Sequence, residues 1–277
     1  MFSFIILHYK NIDDTIECLT HLKKIASSDT HFIVVDNNTL TNEEEKLIRV
    51  FTKDIVRLDK NYGFAKANNR GIEYAKKKYN SKFYIVINND VFISQSNFLE
   101  LIENDYEKYN FDMLGTYIDS PTGESVNPFP AFKTKESVEK EIIRCQKLIK
   151  IYENKLLTSL LNIYLGFKHV FKKPIKPTNG KELEINVALH GCCIIFSDKY
   201  IKKYTYPFYN ETFLFHEEEF LYSRVVKDNL VSMYDPNIKI FHKEGSSVKK
   251  ENKTKRLSKL FREKERLNSL KLLLEEM

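Results

Sequence analysis

The chain has 277 residues, of which 42% are hydrophobic and 30% charged, with 20 Phe and 16 Tyr. This composition excludes an intrinsically disordered chain, and the length suits one large α/β domain with an appendage better than two independent domains. The formal net charge is +6, and nine Lys or Arg stand against three Glu between residues 249 and 266. This local excess of positive charge has three possible explanations: the segment binds an anionic membrane leaflet, it binds a nucleic acid, or it forms a solvated helix face.

The cysteines and the N-terminal segment bear on the cellular compartment. The four cysteines form no C-x-x-C pair, and Cys192 and Cys193 are adjacent within an apolar run, as expected of a protein that stays reduced. The apolar run at the N-terminus has no basic leader and spans about six residues, too few for a signal peptide or a membrane span. We therefore expect a cytoplasmic protein, with peripheral contact to the inner face of the plasma membrane left open.

The first 120 residues alternate between strand-like and helix-like segments. Short apolar runs predict strands that are buried on both faces, at Phe2–Leu7, His31–Asp36, Asp54–Leu58 and Phe83–Asn88. Between them, one helix is predicted to open at Asp13, a second at the capping box formed by Thr41 and Glu44, and a third over Gly63–Lys78. Strands separated by helices of this length predict right-handed crossovers and a mostly parallel, Rossmann-like α/β sheet.

The pattern changes in the second half of the chain. Apolar residues recur every three or four positions over Lys135–Phe167, which predicts one long or two short amphipathic helices. This insertion could pack on the core or dock to a membrane surface. Strand signals return over Asn186–Phe196, a loop running into a helix is predicted over Phe213–Val226, and short strands are predicted at Val231–Tyr234 and Ile238–Phe241.

Polar residues follow three of the predicted strands, where ligands of a parallel sheet bind. Asp36–Asn38 follow the second strand, Asn61–Phe64 the third and Asn88–Asp90 the fourth. The first group could hydrogen-bond a base and a ribose hydroxyl, and Asp90 could hold Mg²⁺ or Mn²⁺ through oxygen. Asp and Asn are also common turn residues, so neither group is decisive by itself.

Two further candidates lie near the C-terminus. Glu217–Glu219 stand at the predicted start of a helix, where the helix dipole favours carboxylates and where one of them could serve as a general base toward a sugar hydroxyl. The next residues, Phe220 and Leu221, are expected to face the core. His242 ends a predicted strand, either as a polar terminus or as a ligand beside a metal or a diphosphate.

The order of these segments resembles the family-2 glycosyltransferases with a GT-A fold, especially the bacterial rhamnosyltransferase-like enzymes of capsule, O-antigen and exopolysaccharide synthesis. The matching positions span residues 2 to 247: Asn11, Val34–Asn38, Asn61–Ala65, Asn68–Gly71, Ile87–Asp90, Gly191, Phe213–Glu218, His242, Gly245 and Ser247. As a set, these positions are specific to the family but not to a donor sugar.

The resemblance implies roles for individual residues. Donor binding is implied for Asp36, Asn38, Asn61, Gly63, Phe64, Asn68, Asn88 and Asn89. Asp90 and His242 are implied as ligands of Mn²⁺ or Mg²⁺, in a metal motif whose first carboxylate is replaced by Asn88. Glu218 stands at the position of the catalytic base, with Glu217 as the alternative. His190 and Gly191 are implied on the acceptor side.

The implied activity is an inverting transfer of a hexosyl or deoxyhexosyl group. The donor would be a UDP- or dTDP-sugar, and the acceptor a hydroxyl of a glycan or lipid-linked glycan in surface polysaccharide synthesis. The chain would divide into a nucleotide-sugar-binding α/β half (1–134), a helical insertion (135–180), an acceptor-side half (181–248) and a basic C-terminal helix (249–277).

Two other functions compete with this interpretation. The first is a catalytically inactive GT-A-like protein that binds a nucleotide sugar or a glycan, with Asn88 as a sign of lost activity. The second is a nucleic-acid-binding protein that uses the basic tail. The aromatic residues fall in apolar runs instead of interleaving with Lys and Arg, which disfavours nucleic acid as a partner.

Overall fold

The structure is a computed structural model that describes residues 1–121, 126–131, 134–169, 180–243 and 255–277. Within these residues the strands are β1 (Phe2–His8), β2 (Thr30–Asp36), β3 (Asp54–Arg57), β4 (Phe83–Asn88), β5 (Val91–Phe92), β6 (Met113–Asp119), β7 (Glu184–Ile185), β8 (Cys193–Ser197) and β9 (Ser232–His242). The helices are α1 (Ile12–Ile25), α2 (Asn42–Ile48), α3 (Ala65–Lys78), α4 (Phe98–Tyr109), α5 (Lys135–Glu153), α6 (Lys155–His169), α7 (Asp198–Lys203), α8 (Glu217–Asp228) and α9 (Lys255–Glu276).

The strands form a single mixed sheet in the order β3-β2-β1-β4-β8-β6-β9-β5, with β7 paired to β9. The parallel pairings join β3, β2, β1 and β4, and also join β6 to β9. Strand β8 runs antiparallel to both β4 and β6, so β6 and β9 point in the same direction as β1 to β4. The predicted α/β architecture with a mostly parallel sheet and flanking helices is confirmed.

Two apolar layers cover the sheet, one on each face. Phe4 and Ile6 of β1 pack in one layer with α1 and α4, whereas Ile5 packs in the other with α3, α7 and α8. Alternate residues of a strand point to opposite faces, so a strand between two layers of helices is apolar at nearly every position. Phe220 and Leu221 on α8 were predicted to face the core, and both side chains are indeed buried.

The structure confirms the capping box and the third helix that were predicted for the N-terminal half. The capping box is present, because Thr41 Oγ1 accepts from the Glu44 N–H at 3.2 Å and the Glu44 carboxylate accepts from the Thr41 N–H at 2.8 Å. The third helix begins at Ala65, two residues after the predicted start.

The prediction of two short C-terminal strands is wrong, because residues 232–242 form the continuous strand β9. Thr116 pairs with Asp235, but the next residue of β6, Tyr117, pairs with Lys239. The extra residues of β9 at this register shift include Pro236, which lacks an N–H to donate to the ladder and is tolerated at a bulge. A sequence typical of a turn is therefore accommodated inside one strand.

The helical insertion consists of two helices, and the basic C-terminal helix packs against the first of them. Val138 and Cys145 of α5 form a small core with Phe220 of α8 and with Leu270 and Leu273 of α9. Arg266 of α9 pairs with Glu141 of α5 at 2.6 Å, and Lys264 pairs with Glu153 at 3.0 Å. Much of the basic charge of α9 thus serves contacts within the chain, while positions 249–254 lie outside the described residues.

Candidate active site

A crevice of about 410 Å³ opens beyond the carboxyl ends of β1 and β4, where α/β sheets bind their ligands. Of the residues predicted for the site, the crevice is lined by Asn61, Gly63, Phe64, Asn88, Asn89, Asp90 and His242. The lining also includes Tyr9, Asn37, Leu214, Phe215 and three residues of α9, namely Ser258, Phe261 and Arg262. Gly245 and Ser247, which contributed to the resemblance, lie outside the described residues.

The loop after β3 is held against the end of β2 by one amide side chain. The Asn37 amide donates to Asn61 Oδ1 at 2.8 Å and to the Gly63 carbonyl at 3.0 Å, and Asn37 Oδ1 accepts from the Tyr62 N–H at 2.8 Å. Asn37 therefore shapes this wall of the crevice, whereas the resemblance implied donor binding for its neighbours Asp36 and Asn38. Asp36 is buried and accepts from two loop N–H groups.

Three residues predicted to bind the donor have other positions or contacts. Asn38 is exposed, and Asn68 lies inside α3 and donates to the Phe64 carbonyl at 3.1 Å. The buried Asn89 amide donates to the Asn11 carbonyl at 3.2 Å and to Thr15 Oγ1 at 2.9 Å, and so ties β4 to the start of α1. The donor-binding roles of these residues, and that of Asp36, stay predictions.

Gly63 lies where two loops of the crevice meet. The Phe64 N–H donates to the Phe213 carbonyl at 2.9 Å, which joins the start of α3 to the loop before α8. Gly63 has a φ of +79°, and a Cβ at this position would lie 1.9 Å from the Phe213 carbonyl oxygen. Both the backbone conformation and the close approach of the two loops require glycine here.

Asp90 and His242 form a pair at the mouth of the crevice. His242 Nε2 lies 3.2 Å from Asp90 Oδ1. The antiparallel pairing of β5 with β9 sets this distance, because it places Val91 opposite His242, and the Lys243 N–H donates to the Asp90 carbonyl at 3.0 Å. Within the described residues, His242 Nδ1 is buried and has no hydrogen-bond partner.

The chemistry of this pair is compatible with part of a metal site. Among the described residues there is no cluster of three or more His, Cys, Asp or Glu arranged around a metal position. Asp90 and His242 supply one oxygen and one nitrogen ligand facing the crevice. Magnesium is commonly bound through one or two carboxylates, with phosphate oxygens and water completing the shell. The residues are thus compatible with Mg²⁺ or Mn²⁺ bound together with a diphosphate.

The three consecutive glutamates begin α8, as the sequence predicts, and a strained turn orients them. Phe215 and His216 have φ angles of 73° and 69°. Each such non-glycine residue costs about 1 to 3 kcal/mol, and residues of this kind cluster at functional sites. Glu219 is buried against His216 Nδ1 at 3.1 Å. Glu218 is half-buried, and its Oε1 accepts from the Gly191 N–H at 3.0 Å.

Burial shifts the acidity of the first two glutamates in the direction that general-base chemistry requires. Burial, and then the charge of Glu219, raise the pKa of Glu218 to about 7. Burial, and then the charge of Glu218, raise the pKa of Glu217 to about 8. A general base works best when its pKa lies near the working pH, because it is then largely deprotonated and still basic. Glu217 is buried whereas Glu218 is half-buried, so Glu218 is the more accessible of the two.

A series of neighbouring residues connects Glu218 with His242 and Asp90, which are far from it in the sequence. Gly191 contacts Glu218, and the ring of the preceding His190 lies 6.1 Å from the ring of His242, which in turn contacts Asp90. Burial lowers the pKa of His190 to about 4, so its ring is neutral at physiological pH. Asp90 and His242 line the crevice, whereas Glu218 is not among the lining residues and is linked to that pair through Gly191 and the His190 ring.

The sequence motifs did not predict that residues of α9 belong to the site. Ser258, Phe261 and Arg262 follow the i, i+3, i+4 spacing of one helix face and line the crevice. The Phe261 ring packs edge-on against Phe213 at 6.4 Å, and the Ser269 hydroxyl donates to the Leu214 carbonyl at 2.9 Å. This spacing is visible in the sequence, but it does not indicate that this face of α9 lines the crevice.

Replacing Gly191 by Ala should lower activity without unfolding the protein. The new Cβ would lie 2.9 Å from Glu218 Oε1, which is the movable end of a side chain, so Glu218 would shift while the backbone stays in place. A misplacement of about 1 Å can lower turnover on the order of 10²-fold. The melting temperature should stay near that of the wild type. Wild-type turnover in this variant would show that the Gly191 contact does not position Glu218.

Comparisons with known proteins identify the family of the chain. The model of glycosyl transferase family 2 matches residues 3–204. The low-salt glycan biosynthesis hexosyltransferase Agl10 of Haloferax volcanii is 24% identical over 219 residues, which cover 78% of this chain and 58% of that protein. The chain thus spans less than two thirds of the length of this curated relative.

Solved structures of TarS from S. aureus share the fold. One superposes with a TM-score of 0.55 at 14% identity, covering 87% of this chain and 36% of TarS. A second, of TarS 1–349 in complex with UDP, has a TM-score of 0.54 at 12% identity and covers 93% of this chain and 68% of that one. With the family model matching more than half of the sequence, and with the fold in agreement, the chain belongs to glycosyl transferase family 2.

Proposed function

We propose that the chain is an inverting glycosyltransferase that moves a hexosyl or deoxyhexosyl group from a nucleoside-diphosphate sugar to an acceptor hydroxyl. The observation that carries this proposal is the series of neighbouring groups that links Glu218, held by the Gly191 N–H, through His190 to the Asp90 and His242 pair at the crevice. A base on one side and a site for diphosphate charge on the other are what glycosyl transfer requires.

The donor in this proposal is a UDP- or dTDP-sugar whose nucleotide occupies the crevice. The loop held by Asn37 and the Phe64 ring supply polar and apolar walls, and Arg262 adds a cation. Asp90 and His242 would hold Mn²⁺ or Mg²⁺, which when bound neutralises charge on the departing diphosphate. The UDP in the related TarS structure supports a uridine nucleotide as the first donor to test.

Glu218 is the proposed general base of a single displacement. Its carboxylate takes the proton of the acceptor hydroxyl while that oxygen forms a bond to the anomeric carbon. The bond between the anomeric carbon and the phosphate oxygen breaks, and its electron pair leaves with the nucleoside diphosphate. The configuration inverts, because attack and departure occur on opposite faces of the sugar. The Gly191 N–H keeps the carboxylate oriented during the transfer.

The acceptor in this proposal is a hydroxyl of a glycan or lipid-linked glycan. His190 and Gly191 border the approach to Glu218, so the acceptor sugar would lie against them. The name of the relative Agl10, a glycan biosynthesis hexosyltransferase, supports a place in glycan assembly. Within that class we propose surface polysaccharide synthesis, such as capsule or O-antigen, at the cytoplasmic face of the membrane.

Thermal unfolding with a panel of nucleotide sugars tests the donor proposal. UDP- or dTDP-sugar with Mn²⁺ should raise the melting temperature, because a ligand present at 100 times its Kd stabilises the native state by about 2.7 kcal/mol. Asp90→Asn should abolish the part of the shift that depends on Mn²⁺, whereas the matched variant Asp29→Asn, far from the crevice, should not.

The outcomes of this panel separate the competing functions. Turnover of a donor that raises the melting temperature supports the transferase. A stabilising nucleotide sugar that is never turned over would favour the catalytically inactive, sugar-nucleotide-binding alternative. No shift with any UDP- or dTDP-sugar, with or without Mn²⁺, would overturn the donor proposal itself.

A further inference from the structure

Helix α6 presents a row of large apolar side chains to solvent. The exposed fractions are 77% for Leu156, 44% for Leu157, 63% for Leu160 and 58% for Ile163. Their spacing places all four on one face of the helix. A contiguous apolar patch on a folded protein marks an interaction surface, since scattered single residues would not align in this way.

The segment of sequence that contains α6 is rich in lysine. The sequence from 154 to 181 contains six Lys and no Asp or Glu. Lys155 begins α6, and the Lys259 ammonium of α9 donates to the Asn162 side chain on α6 at 3.1 Å. An apolar helix face in a lysine-rich segment that lacks carboxylates is typical of helices that lie in the interface of an anionic lipid bilayer.

Other occupants fit this surface less well. A two-fold contact between copies of the chain would bring two lysine-rich segments close to each other, which is electrostatically unfavourable. Nucleic acid would use the cations but would leave aliphatic side chains without a stacking partner. We propose that α6 docks the protein onto an anionic lipid surface, with the helix lying in the plane of the interface. None of the described helices is both apolar enough and long enough to span a bilayer.

The docking face lies close to the crevice. Lys259, which contacts α6, is flanked on α9 by Ser258, Phe261 and Arg262, which line the crevice. Asn162 lies on the side of α6 away from the apolar row, so α6 and α9 together separate the two surfaces, a distance of about 20 Å. This last step rests on the proposed function: a crevice held so near the interface would receive the hydroxyl of a lipid-linked acceptor directly from the membrane.

Co-sedimentation with vesicles tests the docking surface without reference to catalysis. The full chain should bind vesicles of phosphatidylcholine containing roughly one third phosphatidylglycerol, bind pure phosphatidylcholine much more weakly, and dissociate as salt is raised. The triple variant Leu156→Gln, Leu160→Gln and Ile163→Gln should bind the anionic vesicles at least about tenfold more weakly. Gln keeps helix propensity and net charge, so the loss would report on the apolar face.

A matched control replaces exposed apolar residues elsewhere: Leu47→Gln, Val50→Gln and Val226→Gln. This variant should bind vesicles like the wild type, and both triple variants should keep wild-type circular dichroism and UDP binding. Equal vesicle binding by the α6 variant would overturn the docking proposal, as would a wild-type dimer that the α6 variant abolishes. Loss of vesicle binding with UDP binding retained supports docking, whereas absence of UDP binding in the wild type would count only against the proposed function.

Discussion

Replacing Glu218 by Gln is expected to lower kcat by about 10² to 10⁴ while the affinity for UDP is retained. Gln has nearly the same shape and can still accept from the Gly191 N–H, but it cannot take a proton from the acceptor. The measurement is turnover of the donor identified by thermal shift, together with the shift itself. Retained binding would separate a chemical defect from a folding defect.

The dependence of turnover on pH follows from the same carboxyl group. Because burial raises the pKa of Glu218 to about 7, the group is protonated and inactive as a base below that pH. We expect kcat to rise about tenfold per pH unit in the acidic range and to level off above about pH 7. A profile that is already flat at pH 5 would show that the base is a carboxyl with an ordinary pKa.

Glu217→Gln is the matched control for this assignment. Glu217 is adjacent in sequence and similar in chemistry, but its side chain is buried and its Oε1 has no hydrogen-bond partner among the described residues. This variant should retain most of its turnover. If this variant instead loses as much activity as Glu218→Gln does, the general base is Glu217 or the two carboxyl groups together.

The N-terminal half of the fold could be predicted because its signals are local. Buried strands such as β1 and β4 are continuous apolar runs, and the capping box at Thr41 is a four-residue pattern with a direct physical meaning. The continuity of β9 could not be predicted in the same way. The residues around Pro236 favour a turn, and only the pairing with β6 converts them into a bulge.

The same distinction between local signals and tertiary contacts applies to the residues of the candidate site. Asp90 and His242 could be predicted because Asp90 follows β4 and His242 ends β9, and the carboxyl ends of strands that run in the same direction meet at one side of a sheet. Asn37 and Asn38 were both candidates for the site, but sequence position does not reveal which of two adjacent amides turns toward the loop at Asn61. Arg262 was overlooked because its place on the crevice depends on how α9 packs against α5 and α8, which is a property of the tertiary structure.

Gly63→Ala is expected to lower the free energy of unfolding by about 2 to 4 kcal/mol, the largest loss of stability among the substitutions considered. The φ of +79° disfavours Ala, and its Cβ would collide with the Phe213 carbonyl, which is backbone and cannot rotate away. Urea denaturation measures the loss, with Gly191→Ala as the matched control because its clash is with a side chain.

Gly63→Asn separates the two causes of this loss. Asn adopts positive φ more readily than Ala but carries the same Cβ, so it should be nearly as unstable if the close approach to Phe213 dominates. Recovery of stability in the Asn variant would assign the cost to backbone conformation alone. Since the Phe64 to Phe213 hydrogen bond joins α3 to the loop that orients Glu218, both variants should also lose nucleotide binding at temperatures where they remain folded.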